Sequence, residues 1–280
     1  MNFIETVAVE MDEQPPGAAL LQAPEVGRDR TVLNIVGSRV SVAGLARPLR
    51  VLHLTDAYPS RCLGPDWHPV AGGAGPNLED VLDEVHKTEP DFVAFTGNFV
   101  ESATPERWNG LFSWLSRIEV PYGITLGEND WAVPGPMTRE QSASLREKVW
   151  LRFIERLGRS PEFEEFSIAG LHLAFFDDSD YQVSQEQLRQ LNYLSAKREP
   201  IAVFCSVPLG LLAPERETSV TRRFRKHYVH SDTIVAVFAG RMGRGRAERS
   251  ASGAWHYSTP GLCDAGARLI TFVPKPDVPG

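Results

Sequence analysis

Five segments of the chain are apolar almost without interruption, and each closes on a polar residue or is followed at once by one. They are "RVLHLTD", "DFVAFTGN", "YGITLGEND", "IAVFCSVP" and "TIVAVFAGRMG". A strand that is apolar at every position must be covered on both faces, which confines it to the interior of a layered α/β domain. The stretches between the first three have a helical period. "NLEDVLDEVHKTEP" offers Asn77 as cap and sets Leu78, Val81, Leu82 and Val85 on one face. "TPERWNGLFSWLSRI" opens with Thr104 as cap and Pro105 at the first helical position, and Trp108, Leu111, Phe112 and Leu115 form its apolar stripe. Buried strands alternating with amphipathic helices predict parallel pairing. In such sheets ligands sit beyond the carboxyl ends of the strands. That rule selects Asp56, Asn98, Glu128, Ser206 and Arg241.

The second half reads as more antiparallel. "FEEFSIAG" and "LHLAFFDD" predict a hairpin around Gly170, and "SQEQLRQLNYL" predicts a helix with a capping box from Ser184 to Gln187. "ARLITFV" adds a strand. At the start, "MDEQPPGAALLQAPEVGRDR" mixes Pro, Gly and charge without a sustained period. Residues 1–30 are therefore expected to be a mobile or loosely docked tail, and residues 31–280 the folded domain.

At 280 residues, with 42% hydrophobic and 23% charged composition, the chain can bury a full core. A net charge of −7 disfavours a sequence-independent nucleic-acid binder, which needs a basic face to displace counterions. No apolar run is long enough to span a bilayer, and "MNFIETVAVEMDEQPPG" is acidic where a secretory signal would be basic and then apolar. The expectation is a cytoplasmic protein with neither membrane nor nucleic-acid partners. Cys62, Cys205 and Cys263 are too few and too scattered for a disulfide framework or a thiolate zinc site, and Cys205 reads as a small strand residue. The 24 arginines against 5 lysines point to a GC-rich bacterial genome.

The strand-end segments, in this order, resemble the calcineurin-like metallophosphoesterase superfamily, whose pattern is D-x-H, G-D, G-N-H-D/E, a lone His and G-H-x-H. Here "LTDAY", "FTGNFV", "LGENDW", "VFCSVPL" and "VFAGRMG" stand at those places, over roughly Leu49 to Val273. The resemblance implies an α/β fold with a layered β-sandwich core flanked by helices. It also implies a two-metal phosphoesterase site, but most of the residues that would build one are replaced. Asp56 is retained and Tyr58 takes the place of the first His. Asn98 stands for the bridging Asp, Glu128 for the ligand Asn and Asn129 for the His beside the leaving group. Ser206, Arg241 and Gly243 stand for the three late His ligands. A neutral amide does not neutralise two dications, and a guanidinium has no lone pair to donate to a metal. The expectation is a site rebuilt to work without the dinuclear centre, with no metal and no cofactor.

Two kinds of reading fit the remaining polar residues. Asp56, Tyr58, Asn98, Glu128, Asn129 and Asp130 are either inherited strand-end residues bonded to one another, or a cleft that binds a ligand. In the second case crowding of Asp56, Glu128 and Asp130 raises at least one carboxyl pKa and supplies metal-independent acid/base catalysis. A single Mg²⁺ or Ca²⁺ held by the same oxygens is the fallback. In "GRMGRGRAERS", Arg241 and Arg244 belong either to a solvated loop or to a cleft rim that binds an anion by paired hydrogen bonds. His227, His230 and His256 read as structural rather than catalytic, although His256 follows that loop and is a candidate to reach the cleft as a ligand contact. His53 is expected to be a satisfied core residue, and "TRRFRKHYVH" an exposed helix face. The loop "DWHPVAGGAGPN" is a lid candidate. The leading expectation is a repurposed cleft for an anionic or polar small molecule. The rivals are a weak one-metal phosphoesterase and an inactive scaffold or regulatory subunit with a protein partner, for which the superfamily offers precedents in a retromer subunit and the small subunits of replicative DNA polymerases.

Overall fold

A computed structural model describes residues 33–57, 78–100, 103–131, 138–208, 218–240, 246–250 and 252–276. The tail assigned to residues 1–30 and the lid candidate at 66–77 lie outside them. In chain order the elements are β1 (Asn34–Val42), β2 (Leu49–Thr55), α1 (Leu78–Thr88), β3 (Phe92–Thr96), α2 (Pro105–Leu115), β4 (Tyr122–Thr125), α3 (Arg139–Leu157), β5 (Phe163–Ile168) and β6 (Leu171–Phe176). There follow α4 (Gln185–Ala196), β7 (Ile201–Cys205), α5 (Ser219–His230), β8 (Ile234–Ala239), β9 (Arg246–Arg249), β10 (Trp255–Ser258) and β11 (Gly266–Pro274).

Two sheets form. The first has the order β1-β11-β2-β3-β4 and the second β5-β6-β7-β8-β10-β9. Strands β2, β3 and β4 pair in parallel, as their unbroken apolar sequences require. Their alternate side chains then serve two layers. Val51, Phe92 and Ala94 face the second sheet and meet Phe175, Phe204 and Phe238, whereas Leu52, Val93 and Phe95 face α1, α2 and α3. A third apolar layer, including Val203, Leu188, Phe224 and Tyr228, lies between the second sheet and helices α4 and α5. The molecule is therefore a β-sandwich with helices on both outer faces.

The helix starts follow local chemistry. Thr104, Thr138, Ser184 and Thr218 each accept a backbone N–H bond at the start of a helix. The capping box at Ser184 and Gln187 forms as its spacing predicts. The hairpin also forms, with Ala169 and Gly170 both at positive φ, as a tight two-residue turn demands. The second half is the more antiparallel, as expected, since β5 pairs with β6, β9 with β10 and β11 with β2 in antiparallel fashion. Within the second sheet β6, β7, β8 and β10 nevertheless run parallel to one another, with β5 and β9 antiparallel at its two edges. "LHLAFFDD" is thus a central buried strand as well as a hairpin arm. Helix α3 carries no predicted counterpart, because its outer face includes exposed Leu151 and Ile154 and its apolar period is blurred. Among the described residues no helix is long and apolar enough to cross a membrane.

Candidate functional site

The carboxyl ends of β2, β3, β4, β7 and β8 meet at one end of the sandwich, and glycine makes the approach possible. A methyl group on Gly97 would lie 1.9 Å from the Gly127 backbone nitrogen, and one on Gly240 would lie 2.0 Å from Thr55 Oγ1. Only a hydrogen fits at either place. The Gly97 carbonyl ties the two sheets together here, accepting bonds from Thr55 Oγ1 and Ser206 Oγ, both at 3.2 Å.

Asp56 leaves β2 with φ at 51°, a left-handed conformation that Asp tolerates better than most residues. Its Oδ1 accepts from Asn98 Nδ2 at 3.1 Å, and its Oδ2 accepts from Thr55 Oγ1 at 3.3 Å. The other end of the Asn98 amide, Oδ1, accepts from the Asn129 backbone N–H at 2.8 Å. Because a backbone N–H can only donate, this contact fixes the amide orientation. Glu128, on the rim of the same turn, accepts from the Tyr181 hydroxyl at 2.6 Å.

Asp130 belongs to the backbone rather than to the cleft. It is wholly buried, and its carboxylate accepts from the N–H groups of Phe99 at 2.6 Å, Val100 at 2.8 Å and Gly127 at 2.7 Å. It clamps the turn after β3 to the turn after β4. Burial pushes its carboxyl up to about 7, outweighing the three donors, and nearby Asp177 adds to the rise. One carboxyl of the three is thus raised, but by burial and Asp177 rather than by crowding with Asp56 and Glu128, and the assignment of Asp130 to acid/base chemistry is corrected. A group with no solvent access and both oxygens held by backbone N–H donors cannot reach a ligand.

The other predicted residues separate. Ser206 is buried at the end of β7 between the Gly97 carbonyl and Asp178, whose Oδ1 accepts from the Ser206 N–H at 2.9 Å. His256 stands in β10 opposite Val237, on the face that packs against α5, with its ring edge-on to Tyr228 at 5.2 Å. It has the structural place expected of it and is no ligand contact at the strand ends, because the strand alternates and its neighbour Tyr257 takes the sandwich face. Burial holds its pKa below the usual value, partly offset by Glu248. Tyr58, Arg241 and Arg244 lie outside the described residues. His53 is the core residue expected, bridged by Thr259 Oγ1 at 2.6 Å and Thr96 Oγ1 at 2.9 Å. Burial, helped by Arg268, holds it down at about 3, so it is neutral.

The segment 177–181 was not singled out in the sequence, yet it forms one wall. Asp178 also accepts from the Val207 N–H at 3.1 Å, and burial pushes its carboxyl up to about 8. Asp177 accepts from Trp150 Nε1 at 2.8 Å and Arg146 Nε at 3.2 Å, while Arg146 also pairs with Asp180. Ser179 accepts from Trp131 Nε1 at 2.9 Å. The signal was present, since "LHLAFFDD" ends an apolar strand on two carboxylates. A hairpin arm with no parallel partner gives the strand-end rule nothing to act on, and the parallel pairing of β6 with β7 appears only in the tertiary structure.

Residues 49–229 match the family model described as calcineurin-like phosphoesterase. A search of curated proteins finds no match. Among solved structures, the chain is similar to a dimetal phosphatase from Danio rerio, with TM-score 0.52 and 12% identity over 77% of this chain and 88% of that one. It is also similar to a phosphopantetheinyl hydrolase from Mycobacterium tuberculosis, with TM-score 0.44 and 15% identity over 84% of this chain and all of that one. At 12% identity the likeness to the dimetal phosphatase speaks for the fold alone. The family match spans more than half of the chain and takes in strands β2 to β7 of the two sheets, so this protein belongs to the calcineurin-like phosphoesterase family.

Proposed function

We propose that this chain is a metallophosphoesterase-fold protein whose strand-end cleft works without a dinuclear metal centre and takes an anionic or polar small molecule. The observation that carries the reading is the closed amide of Asn98. It stands where the family pattern places a carboxylate between two metals, its Nδ2 donates to Asp56 at 3.1 Å, and its Oδ1 is occupied by the Asn129 N–H at 2.8 Å. The Asn98 amide thus turns a donor, not a second carboxylate, toward Asp56, and leaves the negative charge that would neutralise a pair of cations absent. Three of the described imidazoles are engaged elsewhere: His53 lies between two threonines, His172 between Glu165 and Glu199, and His256 against α5. Among the described residues no group of three His, Cys, Asp or Glu side chains is placed to hold a metal ion. The described donor set does not fit two dications.

Glu128 and Tyr181 supply the chemistry at the rim. A carboxylate and a phenol in direct contact offer one acceptor and one exchangeable donor to a polar ligand, and Asp56 offers a second carboxylate behind them. Any acid/base step would fall to Glu128 or Asp56, since Asp130 is sealed in the backbone.

Two measurements test this. Elemental analysis of the purified protein is expected to show no stoichiometric iron, manganese or zinc, and two equivalents per chain would overturn the reading. An aryl phosphate ester with added Mn²⁺ or Mg²⁺ is expected to turn over only at background. Metal-stimulated hydrolysis abolished by Asp56→Asn would favour the one-metal phosphoesterase instead. A scaffold is the second reading, and the observation that favours it is the exposure of Leu151 and Ile154, one turn apart on the outer face of α3.

A further inference from the structure

We propose a second ligand site at the opposite end of the molecule, in the groove between α4 and α5, which takes a small molecule carrying two or more phosphate groups. The groove encloses about 880 Å³, and Arg198, Arg223, Lys226, His227 and His230 line it, with Asp232 the one carboxylate among its described lining residues. Three permanent cations against one anion are concentrated here on a chain whose net charge is −7. The local sign runs against the global one.

Its position follows from the topology. α4 ends at Ala196, just before β7 begins at Ile201, and α5 ends at His230, just before β8 begins at Ile234. Arg198, His230 and Asp232 therefore lie at the amino ends of the strands, a full strand length from Asp56 and Asn98. No single ligand of ordinary size touches both sites.

A basic helix surface is ordinarily a solvated one, and cations near a helix C-terminus offset the macrodipole. That explanation covers His227 and His230, in the last turn of α5. It also covers Arg198, which terminates α4 with φ at 58°, the left-handed conformation common at a helix C-terminus. It does not cover Arg223 and Lys226, which stand in the body of α5 before its last turn. Among the described residues none of Arg198, Arg223 and Lys226 has a carboxylate partner. His227 Nε2 meets Ser195 Oγ at 2.9 Å and fixes the spacing of the two helices across the groove floor. Guanidinium forks flanking an ammonium suit the oxygens of linked phosphates, which can be shared among several donors.

The test uses the full chain and inorganic pyrophosphate at low ionic strength. Calorimetry is expected to show saturable binding that weakens with added salt, and hydrogen exchange is expected to slow in residues 192–198 and 223–232. The double variant Arg223→Glu, Lys226→Glu should weaken this binding about tenfold or more and lose that protection, with an unchanged melting temperature because both side chains are exposed. Arg198→Ala is the milder second variant and should weaken binding in the same direction. Absence of saturable binding, protection confined to residues near Asn98 and Glu128, or full affinity in the double variant would overturn the proposal. So would binding to phosphatidylserine vesicles without any binding of pyrophosphate, which would make the groove a membrane contact.

Discussion

Asp130 separates a residue's chemistry from its address. The same carboxylate would be a catalytic candidate on an open strand end, but here it stands in for three backbone partners that the sheet cannot provide to Phe99, Val100 and Gly127. Asp130→Ala strands three donors, and an unsatisfied buried group costs about 1–3 kcal/mol, so the expected loss is on the order of 3 kcal/mol or more in urea denaturation. Asp130→Asn keeps one acceptor oxygen and is expected to lose less. If Asp130→Ala kept its stability and lost ligand binding, the acid/base role would be restored. Gly97, Gly127 and Gly240 show the complementary case, in which what matters is the absence of a side chain, because strand ends this close leave no volume for one.

At the scale of elements, α3 matters because it braces the 177–181 wall. Arg146 is largely buried and pairs with both Asp177 and Asp180, while Trp150 of the same helix donates to Asp177. Removing one member of a buried ion pair leaves a charge without compensation, so Arg146→Ala should cost about 3–5 kcal/mol and speed hydrogen exchange across residues 177–181. Arg117→Ala is the comparison. It breaks an ion pair with Glu79 in which both side chains are at least half exposed, and it should cost under about 1 kcal/mol. Equal losses from the two variants would show that α3 does not hold the wall. The extended apolar strands, the caps at Thr104 and Ser184 and the hairpin at Gly170 were all legible from local sequence, because strand burial, capping and tight turns depend on residues a few positions apart. Helix α3 was not legible, because its core contacts are Val149 and Phe153 while Leu151 and Ile154 face outward.

The whole molecule carries several ionisable groups in its interior, and their signs set its response to pH. Asp130 and Glu164 are raised to about 7 and Asp178 to about 8, in each case chiefly by burial. Each keeps its proton in the folded state at a pH where the unfolded chain has released it. The folded state then binds more protons, and stability falls as pH rises through these values. His53, held at about 3 by burial, acts in the opposite sense, but its contribution is complete once pH exceeds the ordinary imidazole value of about 6.5. Stability is therefore expected to decline between about pH 6.5 and 8. Urea midpoints at the two ends of that window measure it, and Asp178→Asn should flatten the slope. A rise across the window would show that the three carboxyls are ionised in the folded protein.

Taken alone, the sequence determined which segments are buried strands, where several helices begin, and that the polar residues Asp56, Asn98 and Glu128 close strands of one parallel set. Those properties are written in short-range pattern, since a strand buried on both faces must be apolar at every position and an N-cap must carry a side-chain acceptor. Tertiary structure alone decided which of the polar residues face a cleft. Asp130 and Ser206 turned inward to backbone partners, His256 turned to the α5 layer, and Asp178 and Tyr181 arrived from a second sheet more than fifty residues along the chain from the β4 turn. The physical reason is that hydrogen-bond partnership at a meeting of two sheets depends on register and on approach distance. Both are set by glycines and core aromatics that carry no chemistry of their own.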